Sequence, residues 1–134
     1  ILPAGWVRPK GYANAIRVPA GRDLVFAAGQ IAWDANQSLV STDFAEQFEQ
    51  ALRNCLTVVE AAGGVARDIV RLTMYCSDKH AYLNHLKPVG QAYRRVMGDH
   101  YPAMSLVEVR ALIEDGAMIE IEATAAIEAP VAEG

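Results

Sequence analysis

Cysteine is scarce in this sequence. The only two cysteines, Cys55 and Cys76, lie far apart along the chain, and their separation fits neither a zinc-binding pair nor a CxxC redox motif. Isolated cysteines of this kind are typical of proteins from reducing compartments, where disulfides rarely persist. We therefore predict that both are buried thiols.

Clustered positive charge and long apolar segments are also lacking. Asp and Glu outnumber Lys and Arg by 16 to 12, and the arginines are scattered rather than grouped. Nucleic acid is therefore a poor candidate partner, because phosphate binding requires several clustered cations. No apolar run approaches the roughly 18 residues of a membrane span, and no signal-peptide core is visible near the start of the sequence. We expect no nucleic-acid or membrane partner and a cytoplasmic location.

The length of the chain suits one domain. A chain of 134 residues buries about two thirds of its unfolded surface, which is enough to fold without disulfides or metals. We predict a single domain over residues 1–134, in which residues 1–13, rich in proline, glycine and alanine, form an irregular lead-in.

Strand patterns occur in five places. Apolar runs predict strands at residues 15–18 and 24–33, separated by a turn at 19–23, and alternating segments predict strands at residues 68–78, 104–111 and 117–127. Both alternations of the strands carry apolar residues, for example Val25 and Phe26. Because one layer of helices covers only one sheet face, we expect the other face to be covered in a homo-oligomer.

Helical spacing of apolar residues predicts two helices. The first spans residues 43–62, with Asp43 and Glu46 as a capping box and a glycine pair as its stop. The second spans residues 88–97, with Pro88 in the first turn and Gly98 at its end. The element order ββαβαββ predicts a two-layer α+β domain, a mixed sheet with two helices on one face.

Five segments occur in an order and at a spacing that resemble one known family. They are "GYANAI" (residues 11–16), "AAGQIAWD" (27–34), "EQALRNCLTVVEAAG" (49–63), "PAMSLVEV" (102–109) and "MIEIEATA" (118–125). Together they resemble the Rid family, also called YjgF or L-PSP, over residues 9–128. The resemblance implies a chorismate-mutase-like (YjgF-type) subunit in a homotrimer, with ligand clefts between neighbouring subunits.

The resemblance also implies an activity, the hydrolysis of reactive enamines and imines to a 2-oxo acid and ammonia without a cofactor. This chemistry needs a clamp for the substrate carboxylate, a held water and a group that relays its proton. Family members that catalyse it have arginine after Pro-Ala, where this sequence has Met104, which has no donor. Leu106 stands where the family commonly has cysteine, Gly90 where it often has asparagine, and Ala28 where it often has serine.

Three other positions match the family. The resemblance implies that Glu120 holds the water, that Tyr12 is the cleft tyrosine and that Gly29 offers a backbone N–H to the ligand. We therefore predict Glu120 and Tyr12 as catalytic residues, and Gly29, Met104 and Leu106 as substrate-binding residues. Each also has a purely structural interpretation: a solvated strand face for Glu120, surface packing for Tyr12, a bulge for Gly29, and apolar packing for the other two.

Histidine and arginine patterns add no further site. His80, His85 and His100 match no common metal-ligand spacing, so we predict no metal. Arg94 and Arg95 are assigned to the negative end of the second helix dipole.

Two functions remain open at this stage. The first is a Rid-like hydrolase or deaminase acting on an enamine, imine or related small metabolite, with 2-aminoacrylate disfavoured by Met104. The alternative is a trimer that binds a small ligand or protects proteins without catalysis. The ribonuclease activity associated with some relatives has no support in the charge distribution.

Overall fold

A computed structural model describes residues 1–130 of the protein. The strands are β1 (Arg22–Gln30), β2 (Ile69–Cys76), β3 (Ala103–Glu108) and β4 (Ile119–Glu128). The helices are α1 (Phe44–Ala61), α2 (Lys79–Leu83) and α3 (Leu86–Met97), with a 3-10 turn at Ala66–Asp68. Residues 131–134, the end of the predicted domain, lie outside the described residues.

The strands form one mixed sheet in the order β1-β4-β2-β3. Strand β4 pairs antiparallel with both β1 and β2, whereas β2 and β3 are parallel. The connection between the parallel strands contains α2 and α3, as a parallel pair requires a long crossover. The predicted two-layer α+β architecture is confirmed, because α1 and α3 pack against the same face of the sheet.

Two details of the prediction are wrong. Residues 15–18 do not form a strand; the lead-in pairs with the sheet only through a single parallel bridge between Ala13 and Ala103. The apolar run there is short and is followed by Pro19, which has no N–H to donate to a neighbouring strand. The described residues also contain a third helix, the five-residue α2, which starts where Asp78 accepts a hydrogen bond from the backbone N–H of His80.

The core lies between the sheet and the two longer helices. Helix α1 buries residues at helical spacing, among them Phe44, Phe48 and Leu52, against Leu72 of β2 and Ile121 of β4. This burial supplies most of the favourable free energy of folding. The apolar periodicity of residues 43–62 therefore reports the face of α1 that meets the sheet.

Both cysteines are buried free thiols, as predicted. The Cys55 thiol donates to the backbone carbonyl of Ile121 at 3.1 Å. Burial, with a smaller contribution from the charge of Glu122, raises the pKa of Cys55 to about 12. The thiol therefore stays protonated at neutral pH and acts as a packing group.

The start of α1 differs in one respect from the predicted capping box. Asp43 accepts a hydrogen bond from the backbone N–H of Glu46 at 3.0 Å, as expected for an N-cap. The Glu46 carboxylate, however, accepts from the Ser41 hydroxyl instead of returning to the Asp43 backbone. In a capping box the Asp43 N–H would donate to the Glu46 carboxylate. Here the Asp43 N–H donates instead to the Ser41 hydroxyl oxygen.

A buried glutamine fastens the loop before β4 to α1. The Gln47 side chain is fully buried and makes three hydrogen bonds. Its amide donates to the carbonyls of Ser41 and Gly116, both at 2.9 Å, and its oxygen accepts from the Met118 N–H at 2.8 Å. These bonds fix the entry into β4, the strand that carries Glu120.

Candidate functional site

A cavity of about 340 Å³ lies between β3 and the two helices α2 and α3. Met104 and Leu106 contribute to its wall. The remaining lining residues come from the lead-in, the core and the helices: Lys10, Gly11, Phe48, Met74, Tyr82, Leu86, Val89, Gly90, Tyr93, Arg94 and Tyr101. The volume is within the range of small-molecule sites.

Strand register explains why Met104 and Leu106 line this cavity. Met104 pairs with Leu72, and Leu106 pairs with Met74. Directly paired residues point to the same face of a sheet, and Leu72 and Met74 are buried under the helices. Met104 and Leu106 therefore point toward the helix layer, which agrees with both their predicted cleft role and the apolar-packing interpretation.

The described residues that line this cavity include two cations and no carboxylate. Arg94 projects from α3, and Lys10 comes from the lead-in. Among residues 1–130 neither side chain has an ion-pair partner. A Cβ placed on Gly90 would lie 3.5 Å from Nη1 of Arg94, so the guanidinium folds back over the glycine. The cavity thus combines apolar walls with positive charge.

Two stacked tyrosines form another part of the wall. The rings of Tyr93 and Tyr101 are 4.9 Å apart and nearly parallel. The Tyr93 hydroxyl donates to the His100 carbonyl at 2.6 Å, and burial raises the pKa of Tyr93 above its usual value. Tyr93 therefore remains neutral with its proton committed to the backbone, so it serves as a wall rather than as an acid or base.

Tyr12 lies beside this cavity, in the lead-in. Its side chain is 44% exposed and lines a neighbouring concavity of about 590 Å³. Gly11 and Tyr101 belong to both concavities. The Ala13 N–H donates to the Pro102 carbonyl at 3.0 Å, which holds the lead-in against the edge of β3. Tyr12 and Met104 therefore border adjoining spaces.

Gly29 and Glu120 are brought together on the opposite face of the sheet. Ala27 pairs with Ala123 and Gln30 with Ile121, so β1 has one extra residue in a bulge that includes Gly29. A Cβ on Gly29 would lie 2.9 Å from Cδ of Glu120. The bulge predicted as the structural interpretation of Gly29 is confirmed, and the glycine leaves the space that the Glu120 side chain occupies.

Glu120 and Glu122 differ in their contacts. Glu120 is partly buried, and its carboxylate has no hydrogen-bond or ion-pair partner within residues 1–130. Glu122 accepts a hydrogen bond from the Tyr75 hydroxyl at 2.8 Å, and this bond is the main reason that the pKa of Tyr75 is raised. Of the two carboxylates, Glu120 is the one available to a ligand or water.

The structure thus separates the predicted site residues into two groups. Met104 and Leu106 face the helix layer, with Tyr12 at the adjoining sheet edge. Gly29 and Glu120 lie on the other face, because Glu120 alternates with Ile119 and Ile121, which are buried in the core. One chain does not bring the two groups together.

Arg94 and Tyr101 are lining residues that the sequence analysis did not assign to the site. The assignment of Arg94 to the helix dipole is incomplete, because its guanidinium lies at the cavity. The neighbouring Arg95 points elsewhere and pairs with Glu49 at 2.6 Å. Residues four apart share a helix face. A glycine at position 90 followed by arginine at position 94 was therefore the sequence signal that could have placed this guanidinium at the cavity.

Two of the three histidines have ring nitrogens close to backbone carbonyls. His85 Nδ1 lies 2.6 Å from the Ala81 carbonyl oxygen, and His100 Nε2 lies 2.7 Å from the Ile69 carbonyl oxygen. Within residues 1–130 no group of three or more His, Cys, Asp or Glu side chains is arranged to hold a metal ion. None of the helices in that range has both the length and the apolar character needed to cross a bilayer.

Comparison with known proteins identifies the family. The profile of the family described as Endoribonuclease L-PSP matches residues 7–127. A 2-iminobutanoate/2-iminopropanoate deaminase from Salmonella typhimurium is 38% identical over 105 residues, which cover 76% of this chain and 78% of that protein. A RutC family protein from Pyrococcus horikoshii is 36% identical over 115 residues, 85% of each protein.

The fold agrees with the sequence comparison. The crystal structure of YyfB from Yersinia pestis, a protein of the conserved Rid family, matches with a TM-score of 0.83 at 33% identity. The match covers 95% of this chain and 96% of that one. The expected chorismate-mutase-like α+β fold is therefore confirmed. This chain belongs to the Rid family, also called YjgF or L-PSP.

Proposed function

We propose that the protein is an imine or enamine hydrolase that releases ammonia in a cleft between subunits of a homotrimer. The observation that carries the proposal is the packing of Gly29 against Glu120, which leaves space for a partly buried carboxylate. Within residues 1–130 this carboxylate has no protein partner, whereas the neighbouring Glu122 accepts a hydrogen bond from Tyr75. The naming of relatives such as the Salmonella protein as imine deaminases supports the same reaction class.

The reaction requires little from the protein. Water adds to the electrophilic imine carbon, and the C=N bond becomes a C–N single bond in a carbinolamine. Glu120 accepts a proton from the attacking water and passes it to nitrogen, which gives the carbinolamine. It then relays the hydroxyl proton of the carbinolamine to nitrogen as the C–N bond breaks, which gives ammonia and a carbonyl product. Tyr12 holds the developing hydroxyl from the neighbouring concavity. An enamine enters the same sequence after protonation on carbon.

A second copy of the chain is needed to complete this cleft. Met104 and Glu120 lie on opposite faces of one sheet, so a ligand that touches both must lie between the helix side of one subunit and the open sheet face of another. We propose that each cleft takes Met104, Leu106 and Tyr12 from one subunit, and Gly29 and Glu120 from its neighbour.

The open sheet face has the character of a subunit interface. Phe26 is 73% exposed, Leu24 is 55% exposed and Val107 is 46% exposed. Exposed apolar groups of this size on one surface mark a site of association. A second copy of this chain is the occupant that explains both the apolar face and the divided site. We further propose a cytoplasmic location, where free thiols such as Cys55 and Cys76 persist.

The apolar lining of the cavity determines which substrates it favours. Met104 offers no hydrogen-bond donor, so a small substrate such as 2-aminoacrylate lacks the contact that arginine would make at that position. Apolar walls from Leu86, Val89 and Leu106 favour a larger apolar body. We therefore propose slow or absent turnover of 2-aminoacrylate.

The test of the reaction uses an imine generated in place by an amino-acid oxidase. The wild-type protein should accelerate ammonia release over the spontaneous rate. Glu120→Gln should lower the catalysed rate by about 100-fold or more. Glu122→Gln is the matched control, since its amide oxygen can still accept from Tyr75. Equal rates for wild type and Glu120→Gln would contradict the proposed role of Glu120.

A non-catalytic trimer that binds a small ligand or protects proteins is the second candidate. The replacement of the family's arginine by Met104 favours it, because the fold is kept while the known carboxylate contact is absent. This candidate predicts ligand binding without any acceleration of imine hydrolysis. The acidic charge balance of the chain gives no support to a ribonuclease.

A further inference from the structure

We propose that Arg94 anchors the carboxylate of the ligand, in place of the arginine that position 104 lacks, and that the ligand is a 2-imino or 2-oxo acid with an apolar side chain of several carbons. The inference rests on the proposed function, because it names the substrate class of that same site. It assigns the anchor to a different element, helix α3 instead of strand β3.

The first support is the position of the guanidinium. Arg94 lines the same cavity as Met104 and Leu106, from the opposite wall. Its Nη1 lies 3.5 Å from the point that a Cβ on Gly90 would occupy. Gly90 is one helical turn before Arg94, so the absence of a side chain there gives the guanidinium its place at the cavity. The planar fork of arginine suits bidentate contact with a carboxylate.

The second support is the charge around Arg94. No acidic residue between positions 1 and 130 lines the cavity, and Lys10 adds a second cation. Within residues 1–130 Arg94 has no acidic partner, whereas Arg95, the next residue in α3, is paired with Glu49. Arg94 is exposed to solvent, and its guanidinium lies over a glycine at a cavity with apolar walls. A cation in this position that the described part of the chain does not neutralise is suited to an anionic ligand.

The third support is the shape of the remaining wall. With the carboxylate at Arg94, the rest of the ligand extends toward Met104 and Leu106, which offer apolar surface and no charge. The stacked rings of Tyr93 and Tyr101 add flat apolar area. A ligand of two or three carbons would leave this surface uncovered, so an apolar side chain is favoured by the buried area.

The first experiment measures binding, independently of catalysis. The probes are 4-methyl-2-oxopentanoate and 4-methylpentan-2-one, which differ only by a methyl group in place of the carboxylate. Wild-type protein should bind the acid about tenfold or more tightly than the ketone in calorimetric titration. Arg94→Gln should weaken binding of the acid by about tenfold and leave the ketone unchanged. Arg95→Gln, the matched control on the same helix, should change either affinity by less than about twofold.

The second experiment uses the glycine that makes room for the guanidinium. Gly90→Asn would place an amide where Nη1 now lies and should weaken binding of the acid to a similar extent. Gly90→Ala adds only a Cβ at an ordinary contact distance, so it should weaken binding of the acid less than Gly90→Asn does. Far-ultraviolet circular dichroism and sedimentation of each variant establish that fold and assembly are unchanged.

Several outcomes would overturn the proposal. Equal affinities of the wild type for acid and ketone would mean that the cavity has no carboxylate anchor. Loss of acid binding in Lys10→Gln but not in Arg94→Gln would assign the anchor to Lys10. Either result leaves the proposed hydrolysis standing, because that is judged by ammonia release and by Glu120→Gln. Conversely, carboxylate binding through Arg94 without any hydrolysis would support this inference and the non-catalytic candidate together.

Discussion

Replacement of Gly29 by alanine tests how the sheet positions Glu120. The new Cβ would lie 2.9 Å from Cδ, 3.0 Å from Cγ and 3.1 Å from Oε2 of Glu120. Favourable carbon–carbon contacts are about 3.5–4.0 Å, so the Glu120 side chain must retreat by roughly 0.5–1 Å. The clash involves the mobile end of a side chain on an open face, so the cost in stability should be small.

The cost in catalysis should be large. A displacement of about 1 Å in a catalytic group can reduce a rate by about 100-fold. We therefore expect Gly29→Ala to lower kcat/KM for imine hydrolysis by about 10- to 100-fold. The free energy of unfolding, measured by thermal denaturation, should change by less than about 1 kcal/mol. The assay is ammonia release from an imine formed in place, with the spontaneous rate subtracted.

A double-mutant cycle separates this mechanism from a general disturbance of β1. If Gly29 acts through Glu120, then Gly29→Ala should have almost no further effect in a Glu120→Gln background. An equal loss of activity in both backgrounds would refute the reasoning, and so would an unimpaired Gly29→Ala protein.

Three further predictions concern stability. Gln47→Ala removes three partly buried hydrogen bonds and should lower the free energy of unfolding by about 2–3 kcal/mol in chemical denaturation; a loss below about 1 kcal/mol would contradict the structural role of Gln47. Gly90→Ala should stabilise α3 by about 0.5–1 kcal/mol, because its Cβ has room; a loss of stability would show that the site is more crowded than described. Cys55 has a pKa raised from 9.0 to about 12, so above pH 9 the unfolded chain loses this proton first and stability should fall as pH rises toward 12. Folded protein should also resist alkylation of Cys55 at pH 8, and rapid labelling without unfolding would contradict its burial.

Helix positions were predictable from sequence because their signals are local. The apolar spacing of residues 43–62 and the N-cap Asp43 both act within a turn or two of the chain. Pro88 in the first turn and Gly98 at the end of α3 fixed the second helix for the same reason. The structure confirms the bounds of these two helices to within two residues.

Features that depend on pairing between distant segments were harder to predict. Residues 15–18 look like a strand by composition, yet only Ala13 of the lead-in bridges to Ala103. The separation of Met104 from Glu120 by the sheet follows from the register of β2 with both β3 and β4. That register cannot be obtained from the period of a single strand.

The position of Arg94 at the cavity was not predicted, for a related reason. In sequence, Arg94 and Arg95 are adjacent and equally suited to a helix C-terminus. Only the packing of α3 shows that Arg95 reaches Glu49 while Arg94 folds over Gly90 toward the cavity. Met104, which stands where the family has its arginine, and Gly90, which leaves space for the Arg94 guanidinium, face the same cavity from β3 and from α3.

The central claim is that each cleft combines the Met104 side of one chain with the Glu120 side of another. Two variants test it: Met104→Glu, which places a repelling carboxylate on one side of the cleft, and Glu120→Gln, which removes the base from the other side. Each should be inactive alone. When the two are co-refolded into mixed trimers, about a quarter of the clefts should have both wild-type sides, and imine hydrolysis should return to about that fraction of the wild-type rate. Mixed trimers no more active than the two parents would contradict a cleft shared between subunits.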